Sequence, residues 1–335
     1  MRRRLAAALA ALALVGAGCS SGSGSGGDEL VIYSGRGEVL VGELIKKFEE
    51  TGVDVEVRYA GTSELAAQLL EEGDNRKADV FFSQDAGALG ALQDAGVLAP
   101  LPQDVLDIVP ARYRSAKGGW VATSGRARVI AYRPDRVPEA QLPKSVFELT
   151  DPKWKGRVGI APTNASFQAF VTGMRVTAGN ERTKTWLEGL KKNEPKEYEG
   201  NIAAVEAVDN GEVDIALVNH YYLYERIAEK GAANVKVKNH FLGGGDPGAL
   251  VNVAGVGIVN GTKHAADAEK FVRFLLSETG QRYFAEETFE YPMTPAAQPP
   301  SGLPPLDAIQ GPKIDLAALA PLKDTLAMLT EVGLT

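Results

Sequence analysis

The residue types that could do chemistry crowd into one stretch, LVNHYYLYERIAEKG (residues 217–231), where Asn219, His220, Tyr221, Tyr222 and Tyr224 follow an apolar run. Deprotonated phenols are hard, charged oxygen donors, which suit a hard trivalent cation such as Fe3+ better than Zn2+, an ion that prefers nitrogen and sulfur. Asn219 is placed to cap a helix that ends at Gly231, which would set Tyr221 and Tyr222 in its first turn. A helix N-terminus carries partial positive charge and favours an anion or a phenolate. Neighbouring helical side chains point about 100° apart, yet two long ones at a strand-to-helix junction can still converge on one ion. The same rings would also serve as aromatic packing between lobes. Residue types and spacing leave both roles open.

Other chemistry finds less support. His220, His240 and His264 are scattered with no H-x-x-x-H or H-E-x-x-H spacing, and His220 reads as a neighbour pointing away from the tyrosines. The stretch GRGEVL (35–40) starts like a dinucleotide fingerprint but places Leu40 where the third glycine belongs. There is no P-loop and, beyond the N-terminal leader, no G-x-S-x-G elbow. Carboxylates are abundant without a pairing that suggests acid–base work, so an exported enzyme using a tyrosine or Asp85 lacks an oriented partner group. SGRGE and PTNAS read as turns that offer backbone N–H groups to an anion.

The elements that must position these residues follow from hydrophobic periodicity. Residues 30–34, 53–57 and 78–83 read as strands, alternating with helices over 38–51, from Ser63 as cap through Leu65, Leu69 and Leu70, and around Leu89 and Leu92. This alternation predicts a parallel sheet covered by helices. Strands are expected again at 125–133, 157–161, 213–218 and 251–259, with helices from about Ser166 and over 181–191, 203–209 and 266–276, and an irregular proline-rich connection at 291–313. No repeat of solenoid length occurs. Two α/β lobes joined by extended crossings fit this order, and 335 residues suffice for two domains.

Composition narrows the class further. An apolar fraction of 44% and a charged fraction of 24% are those of a globular protein. A net charge of −7 opposes nucleic-acid binding, which needs a basic field. The start MRRRLAAALAALALVGAGCSSGSGSGG has the basic, apolar and small-residue order of a secretory signal peptide. Cys19, the only cysteine, follows VGAG as at a bacterial lipoprotein cleavage site, so its lipidation is expected, with SSGSGSGG as a flexible tether; plain cleavage and release is the alternative.

LVIYSGRGEVLVGELIKKFEETGVDVEVRY, ADVFFSQDAGALGALQDAGVLAPL, SGRARVIAY, LTDPKWKGRVGIAPTNASFQAF, NHYYLY and FLGGGDPGALVNVAGVGIV together resemble the ferric-iron-binding proteins of ABC importers, over roughly residues 28–335. The resemblance implies a two-lobed, type II periplasmic-binding-protein fold with two hinge crossings and a cleft between lobes. It implies a first lobe of residues 28–126 and 252–302 and a second of 127–251 and 303–335, after a leader and tether of 1–27. The chain would then be no enzyme but a monomeric carrier that delivers Fe3+ to a permease with a cytoplasmic ATPase, anchored at the outer face of the cell membrane or free in the periplasm.

Carried over residue by residue, the resemblance implies that Tyr221 and Tyr222 ligate iron and that Asn219, Asn164, Ala165, Ser166 and Asn201 hold a companion anion. It implies an arginine of SGRAR beside that anion, Arg126 in preference to Arg128. The family's histidine position holds Gly37, its glutamate position falls on Gln84 followed by Asp85, and a further tyrosine position of some relatives falls on Ala165 or Ser166. Exogenous carbonate, phosphate or citrate is therefore expected to complete the coordination, with Asp85 as a candidate ligand and Gln84 as a contact to the anion. The competing reading is a carrier of a small organic or phosphorus-containing anion without metal.

Overall fold

The computed structural model describes residues 29–320 and 322–335. The expected signal peptide, Cys19 and the Gly/Ser tether lie outside the described residues. The described chain opens with β1 (Leu30–Ser34), α1 (Glu38–Glu49), β2 (Val55–Tyr59), α2 (Thr62–Glu71), β3 (Val80–Ser83) and α3 (Ala86–Asp94), followed by the short α4 (Gln103–Ile108). β1 pairs in parallel with both β2 and β3, as the βαβ alternation predicts. Val41, Leu44, Ile45 and Phe48 form the buried stripe of α1, with the Phe48 and Phe271 ring centroids 4.9 Å apart.

β4 (Val121–Tyr132) is the strand on which the architecture turns. Its first half pairs with β9 (Val251–Ile258) as far as Ala127, and from Arg128 onward it pairs with β7 (Ile215–Asn219) and, from Ile130, with β8 (Lys238–His240). β9 also pairs antiparallel with β3, so β4 joins the β1–β3 half of the sheet to the half containing β5 (Val158–Ile160), β6 (Lys196–Glu197) and β7. All twelve residues of β4 are buried, including Arg126 and Arg128. Side chains two apart on a strand share a face, so both guanidinium groups leave β4 on one side.

α5 (Ala165–Ala178), α6 (Asn180–Lys192), α7 (Asn201–Asn210) and α8 (Tyr221–Lys230) follow around β5–β8. α9 (Ala265–Leu276) packs against β9, and α10 (Glu278–Glu286) leads into the two-residue β10 (Tyr291–Pro292), which pairs with the first half of β4. α11 (Leu322–Glu331) ends the chain and packs on α5 through Thr325, whose hydroxyl lies 2.7 Å from that of Thr172.

Three local expectations differ from the structure. Asn219 is the last residue of β7, and the residue before α8 is His220, whose helical backbone leaves no side-chain cap. α2 is preceded by Gly61 in extended conformation, so Ser63 lies in its first turn and caps nothing. Leu70 is exposed, because the helical stripe closes with Leu65 and Leu69.

Candidate functional site

β3, β5 and β7 all end toward one cavity of about 150 Å³. In open α/β sheets the carboxyl ends of strands are where ligands bind. Gln84 and Asp85 follow β3, Asn164, Ala165 and Ser166 follow β5, and Asn219, Tyr221 and Tyr222 end β7 and open α8; all line the cavity together with Arg126 and Arg128 of β4. A larger open hollow of about 850 Å³, lined by Arg112, Gly244, Lys313 and neighbours, touches none of these residues.

The two phenol rings lie side by side, centroids 4.1 Å apart and planes inclined by 32°. Tyr221 is buried and Tyr222 half-buried. Burial raises the Tyr221 phenol well above its ordinary value, and the neighbouring phenol adds to that rise while Arg126 opposes it. Burial also raises Tyr222, countered by the neighbouring Tyr221 hydroxyl and by the charges of Arg126 and Arg128. Both phenols are therefore neutral at physiological pH until a cation displaces their protons.

Arg128 is fully buried. Its Nη1 reaches Ser166 Oγ at 3.3 Å, Asn219 Oδ1 at 3.4 Å and Asn201 Oδ1 at 3.5 Å, and its Nη2 donates to the Leu217 carbonyl at 2.8 Å. The rings of Phe167 and Phe170 lie 5.7 and 5.3 Å from the guanidinium carbon. Burial lowers its pKa to about 9, with Tyr222 and Tyr221 opposing, so it stays a cation at neutral pH. Arg126 donates to the Gln84 carbonyl and stands 3.8 Å from Glu290. Arg126 Nη1, Arg128 Nε and Gln84 Oε1 are buried without a hydrogen-bond partner among the described residues. Buried donors left open at a cavity wall are places where a ligand oxygen gains most.

Asn164 caps α5. Its Oδ1 accepts from Ser166 N at 3.0 Å, Ser166 Oγ at 2.7 Å and Asn201 Nδ2 at 2.9 Å. Asn201, at the first turn of α7, does not line the cavity but braces Asn164 and Ser166 from behind. Asp85 caps α3 by accepting from Ala88 N at 3.2 Å, so one of its oxygens already has a structural task.

The sequence did not reveal what holds the arginines. Glu290 is buried between Arg36 and Arg126, with Arg36 Nη2 donating to its Oε2 at 2.7 Å. Burial alone would raise the Glu290 carboxyl, but Arg36 and Arg126, with hydrogen bonds from Arg36 and Thr288, hold it below the ordinary value. Asn252, Leu250, Ala169 and Phe170 also line the cavity unannounced. The spacing of Arg126 and Arg128 on one strand face was the signal that both belong to the wall. His220 points away from the cavity, as its position beside the tyrosines suggested: Ala127 N donates to its Nδ1 at 3.1 Å, which leaves Nε2 to donate to the Phe289 carbonyl at 2.9 Å. Burial lowers its pKa to about 4, so the imidazole is neutral.

A buried cleft between two α/β lobes, with strand ends and helix N-termini converging on it, is the architecture of a periplasmic-type binding protein. The chain belongs to the family described as bacterial extracellular solute-binding protein, whose model matches residues 75–308. It is a binding protein rather than an enzyme. It is 34% identical over 307 residues to the Fe(3+)-binding periplasmic protein of Serratia marcescens, covering 91% of this chain and 90% of that one. It is 35% identical over 312 residues to the major ferric iron-binding protein of Neisseria meningitidis serogroup B, covering 91% and 93%. Iron-bound HitA from Pseudomonas aeruginosa superposes with a TM-score of 0.83 at 37% identity, over 91% of this chain and 99% of that one. A Trichodesmium protein in complex with iron and citrate superposes with a TM-score of 0.77 at 29% identity, over 92% and 100%.

Proposed function

We propose that this protein carries ferric iron in an ABC import system, holding Fe3+ through the phenolates of Tyr221 and Tyr222 with a small companion anion on the arginine side of the cavity. The observation that carries this reading is the pair of adjacent phenols, Tyr221 buried and Tyr222 half-buried, lining one cavity of about 150 Å³ together with two buried arginines. Phenolate is the hard oxygen donor that Fe3+ prefers, and the cation compensates for the two protons lost. Arg126, Arg128, Ser166, Asn164, Ala165, Asn219 and Gln84 form the anion wall, and Asn201 braces it. Carbonate, phosphate or citrate would supply the remaining oxygen ligands, with Asp85 as an additional candidate. Iron is the cargo of this carrier and is released to a permease served by a cytoplasmic ATPase.

The chain would be exported through its N-terminal signal, tethered by a lipid on Cys19, and act as a monomer. Its lobes would be residues 28–126 with 252–302 and residues 127–251 with 303–335, closing about the β4 and β9 crossings. Titration with ferric citrate, with and without bicarbonate or phosphate, tests the reading through the visible phenolate-to-iron charge-transfer band. A band lost in Tyr221→Phe and Tyr222→Phe supports it. The open donors at Arg126 and Arg128 favour a second reading, a metal-free carrier of a small organic or phosphorus-containing anion. Tight binding of such an anion by a protein that stays colourless with iron would select that alternative.

A further inference from the structure

His220 has every hydrogen-bonding group engaged, and its partners come from three different parts of the fold. Its backbone N–H donates to the Ala127 carbonyl at 3.0 Å and its Nδ1 accepts from the Ala127 N–H at 3.1 Å. Its carbonyl accepts from Asn239 Nδ2 at 2.8 Å, and its Nε2 donates to the Phe289 carbonyl at 2.9 Å. Ala127 is the residue at which β4 passes from one half of the sheet to the other. Phe289 stands just before β10, which pairs with the first half of β4, whereas His220 immediately follows β7, which pairs with the second half.

Phe289 is itself held in a left-handed conformation, φ 53°, which a bulky residue adopts only when its surroundings impose it. That conformation turns its carbonyl to His220 while its ring stacks on Tyr224, centroids 6.1 Å apart and planes inclined by 26°. The next residue, Glu290, pairs with Arg36 and Arg126.

From this geometry we infer that His220 is the positioning residue of the phenol pair, and that it sets Tyr221 and Tyr222 by locking the β7–α8 turn both to the crossing strand and to Phe289 of the opposite lobe. The inference rests on the ferric-iron reading for its role in binding, and on the hydrogen bonds alone for its role between the lobes.

His220→Phe keeps a ring and removes both imidazole hydrogen bonds. His220→Asn keeps an acceptor for the Ala127 N–H but is too short to reach Phe289. Both are read in two ways: ferric citrate titration, and the distribution of distances between spin labels on Leu70→Cys and Val176→Cys in the Cys19→Ser chain. Leu70 on α2 and Val176 on α5 are 47% and 45% exposed on opposite lobes. For His220→Phe the iron affinity is expected to fall about ten- to hundredfold, the range for groups that orient ligands, with a shifted charge-transfer band. The metal-free label distances should broaden as well. For His220→Asn the band should return to its wild-type position while the distances stay broad. His220→Phe indistinguishable from wild type in affinity, band and distances overturns the inference. A wild-type protein without a band removes the iron reading only; the metal-free distances then decide, broadened in support or unchanged against. Should His220→Phe fail to fold, unchanged distances in His220→Asn overturn the inference by themselves.

Discussion

Tyr221 and Tyr222 leave the same helix turn as immediate neighbours, yet their ring centroids lie only 4.1 Å apart with planes inclined by 32°. The stack places two oxygens on one wall of the cavity and makes them unequal, Tyr221 the more deeply buried. Replacing either by phenylalanine keeps the stacked area and removes one oxygen. Each substitution is expected to weaken ferric binding roughly hundredfold, equivalent to about 2.7 kcal/mol, while melting temperature stays close to wild type. Unchanged iron affinity in both variants would reduce the rings to packing.

Acidity should act on binding through the same phenols. Both are raised above their ordinary value, so iron bound as proposed would displace a proton from each. Apparent affinity is therefore expected to rise steadily from pH 5 to pH 8, with proton release measurable by titration in two buffers of different ionisation heat. Glu225, pushed up to about 7 by burial and by Glu290, titrates in the same window. Glu225→Gln should leave the phenol slope in place, and a flat profile in either protein contradicts phenolate ligation.

Asp85 is the residue on which a cap and a ligand make opposite predictions. Asparagine caps a helix as well as aspartate does, but it offers no negative charge. Asp85→Asn is expected to bind iron within about threefold of wild type, because its Oδ1 is held by the Ala88 N–H and the phenols supply the charge. A loss of a hundredfold would make Asp85 a direct ligand.

Removing the carboxylate between Arg36 and Arg126 leaves two buried cations facing one another. Glu290→Gln is expected to cost about 3–5 kcal/mol in chemical denaturation. Because the folded protein holds this carboxyl below its ordinary value, its contribution is complete above the usual glutamate range and is lost as pH falls through the lowered value. The wild-type chain should thus lose stability in acid more steeply than Glu290→Gln. Equal acid slopes would show that the pair contributes nothing to this dependence.

The close packing of α3 on the distant 316–319 turn offers a test of shape alone. A methyl group on Gly90 would meet the Ala317 Cβ at 2.7 Å and its Cα at 2.8 Å. Gly90→Ala is expected to destabilise by about 1–3 kcal/mol despite its better helix propensity. A stabilised variant would mean that the 316–319 turn gives way freely.

Much of this architecture could be read from the sequence because α/β periodicity is local: β1, α1, β3, α3, α5 and α9 stand within a few residues of where apolar spacing places them. The start of β4 resisted such reading. Val121–Ser124 lies ahead of the strand expected at 125–133, and VATS shows neither a long apolar run nor a clear alternation although all four residues are buried. The Asn219 cap was misplaced because the turn into α8 begins in helical backbone at His220, a conformation that composition does not announce. Arg36 and Glu290 are 254 residues apart, and Phe289 meets His220 across 69. Such pairs leave no periodic trace, so the brace behind the cavity was invisible while its front wall was not.

Arg126 and Arg128 flank Ala127, the residue at which β4 changes partners between the two sheet halves. Displacement in any rotation grows with distance from its axis, so for a swing about that strand the arginines are near the fulcrum and the helical rims lie on the long arm. A ligand held at a fulcrum keeps its nearest contacts almost unchanged while the far edges sweep through an arc. On the proposed reading, the anion seat would thus stay assembled whether the molecule is open or shut, and the gain in grip on shutting would come from groups farther out, on the α8 and α3 sides of the cleft.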